Sequence, residues 1–299
     1  MVSDAARAGI EVLPVLVDKV WRRGAYRSRV PRRPRARRRF AAWAQRVVAR
    51  YGAAGSFWRE RPQLPYVPFR AYQIWNEPNL TAHWPRPSPR RYVALLRAST
   101  PAIKAVDPAA QIVAGGFPDT TRGTRLRPYL RGFYRQPGVR KLFDALAVHP
   151  YARNVWQVED LLFMVRRMMR RNGDGGRPLW ITEIGWATDG PYRSRFRVGT
   201  RGQARRLDDT FQLLLEQRRR WRIERVFWFS FKDRSLLRRE QDWWGPHTGL
   251  FYVSGYAKPA WGELTRLAGG EGDDWLGRPY QPDPEPEPEP PCNLGVFCP

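Results

Sequence analysis

The sequence predicts an α/β protein built on a parallel β-sheet covered by helices. Three observations carry this reading. Short apolar runs alternate with longer amphipathic ones along most of the chain. The short runs are apolar on both faces, as strands buried from two sides must be. Three of them stop abruptly in polar residues: Asn76-Glu77, His149 and Glu183. Strand ends of that kind are where parallel α/β architectures place their chemistry.

The strands are expected at "IEVLPVLV" (10–17), "AYQIW" (71–75), "QIVAGG" (111–116), "ALAVH" (145–149), "LWITEI" (179–184) and "RVFWFSF" (225–231). Helices are expected between them. "FAAWAQRVVARYG" (40–52) closes in a glycine, and "SPRRYVALLRASTPAIKAV" (88–106) opens with a serine cap and a proline at its first turn. "WQVEDLLFMVRRMMRRNG" (156–173) and "GQARRLDDTFQLLLEQRRR" (202–220) repeat apolar residues every three or four positions. Residues 1–270 are read as one domain. Residues 271–299, containing "PDPEPEPEPP", are read as an extended, disordered tail that cannot build a core.

Composition narrows the function. Hydrophobic residues make up 42% of the 299, enough for a sizeable core, and no apolar run is long enough to span a membrane. Asp4 and Glu11 interrupt the start of the chain, so it does not read as a signal peptide, and the compartment stays open. The two cysteines, Cys292 and Cys298, lie in the tail, where they can pair with each other but neither staple the fold nor form a metal site.

The net charge of +25 is almost all arginine, with ten arginines in residues 22–39. A basic patch of that size suits nucleic acid or another polyanion. The excess continues in "RRMMRR" (166–171) and "RRRWR" (218–222), however, which favours a solvated loop in an arginine-biased chain. No RNA-binding signature accompanies it, so a nucleic-acid partner is not expected.

Singly, each polar strand end has an ordinary explanation. Asn-Glu-Pro suits a turn, a lone glutamate closes a strand in a salt bridge, and a histidine before proline satisfies a loop. Together they supply two carboxylates from separate strands of one sheet. That is the equipment of glycoside hydrolysis: one carboxyl protonates the leaving oxygen, and the other attacks the anomeric carbon or activates water.

"QIWNEPN" followed by "WITEIGW" resembles the clan A retaining glycoside hydrolases, and most closely the bacterial members related to families 5 and 39. "RYGAAGSFW", "VHPYA", "VFWFSFKD" and "GLFYVSGYAKPAWGEL" are similar to landmarks of the same group, and the likeness covers roughly residues 8 to 268. The resemblance implies a (β/α)8 TIM barrel acting on an oligo- or polysaccharide without cofactor or metal. It implies Glu77 as acid/base, Glu183 as nucleophile, and Asn76 as a partner of the sugar 2-hydroxyl. An ionised Glu183 is expected to raise the Glu77 pKa until the glycosyl-enzyme forms. Tyr151, with His149, is expected to hold Glu183. Trp228 is a candidate sugar platform, its alternative being core packing. Trp84, Trp186, Trp243 and Trp244 are more simply packing residues than subsite walls.

One departure accompanies the likeness. In that group the glutamates end strands four and seven, and here the spacing between them is kept. Only 10–17 precedes Glu77, so it counts as strand three, with residues 2–8 as the tail of the second helix. The expected architecture is therefore a (β/α)8 barrel incomplete at its N-terminus, with strands three to eight present. A non-catalytic carbohydrate-binding protein on a decayed barrel is the competing expectation, and retention of both glutamates argues against it. Enzymes of this group are usually exported.

Overall fold

The computed structural model describes residues 1–22, 25–237 and 240–270, with the side chains of 20–27 outside the description. The tail and both cysteines therefore lie outside the described residues. The elements run α1 (Val2–Arg7), β1 (Val15–Leu16), β2 (Lys19–Arg22), β3 (Ala25–Ser28), α2 (Pro34–Tyr51), α3 (Ser56–Arg59), β4 (Ala71–Ile74) and α4 (Pro89–Lys104). They continue with β5 (Gln111–Pro118), α5 (Leu126–Tyr134), β6 (Ala145–His149), α6 (Val155–Arg171), β7 (Leu179–Ile184), α7 (Gly199–Glu216), α8 (Arg218–Trp221), β8 (Ile223–Trp228) and α9 (Pro259–Leu267).

Six strands form one sheet in the order β1-β4-β5-β6-β7-β8, every pair parallel, and β2-β3 is a separate antiparallel hairpin. Side-chain alternation sorts the sheet residues into two layers. Tyr72, Ile74, Ile112, Ala114, Leu146, Val148, Leu179 and Ile181 join the large core beneath the helices. Ala71, Val113, Ala145, Ala147 and Trp180 pack together on the other, concave face, with Leu13 and Phe227 against them. Three alanines there make room for one indole, whose N–H donates to Glu224 at 2.8 Å.

The helices follow from their caps and apolar stripes. Ser88 accepts the Arg91 N–H and Asn154 accepts the Gln157 N–H, which fixes the starts of α4 and α6. Arg166, inside "RRMMRR", is not solvated as a surface arginine. It is buried in α6, where its guanidinium donates to the carbonyls of Gly175, Arg177 and Trp221, and burial lowers its pKa to about 10. The arginine-rich stretch 22–39 differs from the expected loop, since it contributes to the hairpin and to the first turns of α2.

The first strand is shorter than expected. Only Val15–Leu16 are paired, although Pro14 O already accepts the Gln73 N–H at 3.0 Å. Among the described residues, β1 pairs only with β4 and β8 only with β7, so both are sheet edges. Side chains reach between these two edges. Arg225 on β8 lies 3.1 Å from Glu11, just before β1, and Leu13 and Phe227 share the concave-face cluster.

Candidate active site

The chain is irregular beyond β4 and in β5 and β7, the strands around the site. Beyond β4, Trp75 and Glu77 adopt left-handed backbone angles, φ 66 and 48. Such angles cost non-glycine residues about 1–3 kcal/mol and persist where the surroundings over-determine them. Here the Trp75 N–H donates to Leu16 O at 2.9 Å, its indole donates to His83 O, and the Glu77 N–H donates to Gly115 O. The register of β7 against β8 shifts between Ile181 and Ile184. An irregularity of that kind re-aims side chains, and both Thr182 and Glu183 face the site. In β5 the register shifts between Gly115 and Phe117. Gly116 there has φ 66, and a Cβ would stand 2.6 Å from His149 Nε2 and 2.9 Å from Gln73 Nε2. Glycine at 116 is what lets those two side chains lie against the backbone.

These devices bring Glu77, His149 and Glu183 together, each with one donor atom inside a 4.8 Å cluster. His149, fully buried, places Nδ1 2.9 Å from Glu77 Oε1 and Nε2 3.1 Å from the Thr182 hydroxyl. Its distance to Glu183 Oε2 is longer, 3.4 Å, so its first partner is Glu77 rather than Glu183. The Tyr151 hydroxyl donates to Glu183 Oε2 at 2.8 Å, and Asn76 Nδ2 lies 3.5 Å from Oε1. Gln73 donates to Asn76 Oδ1 at 3.1 Å and fixes the orientation of that amide.

The electrostatics follow from burial. Burial raises the Glu77 pKa, and the charges of His83 and Lys19 oppose it. The rise therefore comes first from desolvation, not from Glu183 as expected from sequence. Burial also raises Glu183, against the pull of His149, Tyr151 and Asn76, while Glu77 adds to the rise. Burial lowers the His149 pKa, and the charge of Glu183 opposes it. The three clustered donor atoms are of types that bind metals. The short contacts already join them to one another and to Thr182 and Tyr151, which suits proton chemistry.

Trp228 is not brought to the carboxylates. By alternation its neighbour Phe227 takes the concave face, so Trp228 turns toward the helices, 6.2 Å from Trp186, with its indole donating to Thr248 O. Phe229, the next residue, lies 6.3 Å from Tyr151. Trp244 lies 4.8 Å from Tyr151 and 4.7 Å from Phe196, so an aromatic wall stands beside Glu183. Trp84 and Trp186 are buried packing residues, and Trp243 is exposed. Sequence reasoning missed His83, whose Nε2 lies 3.3 Å from Glu77 Oε2. It also missed Gln73 and Thr182. Their signal was polarity inside strands otherwise apolar on both faces.

The family model for the glycosyl hydrolase catalytic core matches residues 71–243, more than half of the chain, and takes in both glutamates. The chain belongs to the glycosyl hydrolase catalytic core family. Its structure is similar to a family 39 glycoside hydrolase from the gut symbiont Bacteroides cellulosilyticus WH2, at 20% identity and TM-score 0.57, covering 87% of this chain and 51% of that one. It is also similar to a monomeric beta-xylosidase from Caulobacter crescentus CB15, at 18% identity and TM-score 0.59, covering 89% and 55%. The GH53 catalytic domain of Ignisphaera aggregans matches at 19% identity and TM-score 0.57, covering 86% and 74%. No curated protein matches. At these identities the likeness is one of fold. The six-stranded sheet is a TIM barrel incomplete at its N-terminus, with strands three to eight present, and the chain spans about half the length of the first two structures.

Proposed function

We propose that the chain hydrolyses O-glycosyl bonds of an oligo- or polysaccharide by retaining double displacement, with Glu77 as acid/base and Glu183 as nucleophile. The observation that carries this is the closeness of the two carboxylates, each of which has one oxygen in the same 4.8 Å cluster. Retaining enzymes hold the pair about 5–5.5 Å apart, whereas inverting ones leave about 6.5–9.5 Å for a water. The environments also divide the roles. Glu77 is buried between two imidazoles, which suits a carboxyl that must first be protonated. Glu183 is more exposed and receives the Tyr151 hydroxyl, which suits a charged nucleophile.

In the first step Glu183 attacks the anomeric carbon and Glu77 gives its proton to the leaving oxygen. In the second, Glu77, now a carboxylate, takes a proton from the water that opens the glycosyl-enzyme. Asn76, beside Glu183, is placed to meet the 2-hydroxyl, and Trp244 and Phe229 offer flat faces to the sugar. An activated aryl glycoside with Glu77→Ala and azide tests both roles at once. Azide is expected to restore turnover and to give a glycosyl azide of the substrate's own anomeric configuration. An inverted azide, or no response to azide, overturns the assignment. Binding of oligosaccharide by the native chain without any turnover supports the carbohydrate-binding alternative, which the open sheet edges favour.

A further inference from the structure

Glu77 carries an imidazole on each carboxylate oxygen, and the two differ in their access to water. His149, on Oε1, has 0% of its side chain exposed. His83, on Oε2, keeps 24% of its side chain in solvent, against 10% for Glu77. The backbone around His83 is pinned. Its N–H donates to Leu80 O at 3.1 Å, and its carbonyl accepts the Trp75 indole at 3.2 Å. The next residue, Trp84, is fully buried, with its ring 5.4 Å from Trp75. The loop that starts at Glu77 thus folds back to present an imidazole to its own first residue.

We propose that His83 is a positioning residue for Glu77, holding Oε2 and sharing one proton with the carboxyl, so that the buried acid exchanges protons with solvent through the His83 ring. This rests on the acid/base role of Glu77 proposed above. One proton serves the pair. It sits on Glu77, beside a neutral His83, or it crosses the 3.3 Å gap between Oε2 and Nε2 to make imidazolium beside carboxylate, with no change in net charge. The first form is the acid that the first chemical step needs; once its proton has gone to the leaving oxygen, the pair is carboxylate beside neutral imidazole, which is the base of the second step and regains its proton from the attacking water.

The groups facing the pair set the balance. Burial raises Glu77 and lowers His83, which favours the neutral form. Their mutual attraction favours the ion pair, lowering Glu77 and raising His83. Lys19, at the start of β2, lowers both, and His149 lowers His83. Glu183, in the same 4.8 Å cluster, is raised by the charge of Glu77 and receives the Tyr151 hydroxyl. A carboxylate has about four lone-pair sites, so with His83 on one site of Oε2 another can carry the proton that the glycosidic oxygen accepts.

Titration followed by NMR tests this without requiring turnover. The full chain, labelled with 13C at glutamate carboxyls and 15N at imidazoles, is titrated as wild type, His83→Phe, His83→Gln and Glu77→Gln. The Glu77 midpoint is expected to move to higher pH in His83→Phe, because the group that lowers it is gone, and less far in His83→Gln, which keeps a donor. By reciprocity, the His83 midpoint is expected to fall in Glu77→Gln. A Glu77 midpoint unmoved by His83→Phe, or a His83 midpoint unmoved by Glu77→Gln, in variants whose spectra show an intact fold, overturns the proposal. Where the chain turns over substrate, the alkaline limb of kcat/KM is expected to rise with the Glu77 midpoint. Midpoints that shift as stated in a chain that shows no azide-rescued turnover leave the pairing standing and reject the glycosidase reading instead.

Discussion

In the proposed mechanism Glu183 must be ionised to attack, yet burial works against its charge. The Tyr151 hydroxyl, donating at 2.8 Å, is the strongest single donor on its side of the site. Removing it in Tyr151→Phe takes away a bond that favours the charged form, so the Glu183 pKa rises. The sign of the effect follows: fewer Glu183 side chains are ionised at acid pH, and the acid limb of kcat/KM moves to higher pH. A hydrogen bond to a charged group contributes about 1.5–3 kcal/mol, so kcat/KM on the acid side is expected to fall roughly ten- to a hundred-fold. A pH–rate profile checks this, and an acid limb that stays in place contradicts it. At this scale the sequence was most legible where polarity met a strand end. Asn76, Glu77, His149, Tyr151 and Glu183 were read directly, and they converge. His83 was not, because only the left-handed turn at Trp75 and Glu77 folds the loop back on itself. Trp228 takes the core-packing alternative, because Phe227 packs on the concave face and sets the parity of the strand, a contact between strands.

The loops beyond β7 and β8 are tied to the start of α9 by one buried lysine. Lys258 Nζ lies 2.7 Å from Asp233 and donates to the Thr188 hydroxyl and to His247 O. Burial lowers the Lys258 pKa, and Asp233 opposes that. Lys258→Met keeps much of the volume but leaves Asp233 buried with its charge unpaired. Breaking a buried pair from one side costs about 3–5 kcal/mol. Chemical denaturation is expected to show a loss of that size, and Lys258→Met/Asp233→Leu is expected to recover part of it. A single variant as stable as the native chain contradicts the account. Most elements were readable from periodicity, and β6 and β7 fall on their expected bounds. The helix α5 was not, because Pro128 and Gly132 interrupt its nine residues, and its formation rests on burying Leu126, Tyr129, Leu130 and Phe133.

Among the described residues, the main sheet has two unpaired sides. Val15 is exposed on β1, and β8 faces solvent over part of its length. Edge strands of this kind are templates for pairing with another chain. Two features oppose association: the Glu11–Arg225 contact between the edges and the net charge of +25. Both are weakened by salt, since the screening length falls from about 30 Å at 0.01 M to about 10 Å at 0.1 M. Sedimentation of the 299-residue chain is therefore expected to show association that grows with concentration and with salt. A monomer at every concentration and salt level contradicts it. The missing edge pairing was legible as a strand count, whereas the contacts between the edges were not, since Glu11 and Arg225 are more than two hundred residues apart in sequence.

The central claim is that Glu183 is the group that bonds to sugar. A 2-fluoro glycoside with a good leaving group traps that bond, because the fluorine slows the second step more than the first while the leaving group sustains the first. Intact mass and peptide mapping of the treated chain are expected to show one glycosyl adduct, carried on Glu183 and absent from Glu183→Gln. An adduct on another residue, or turnover of an unmodified substrate by a chain that never labels, would contradict the account.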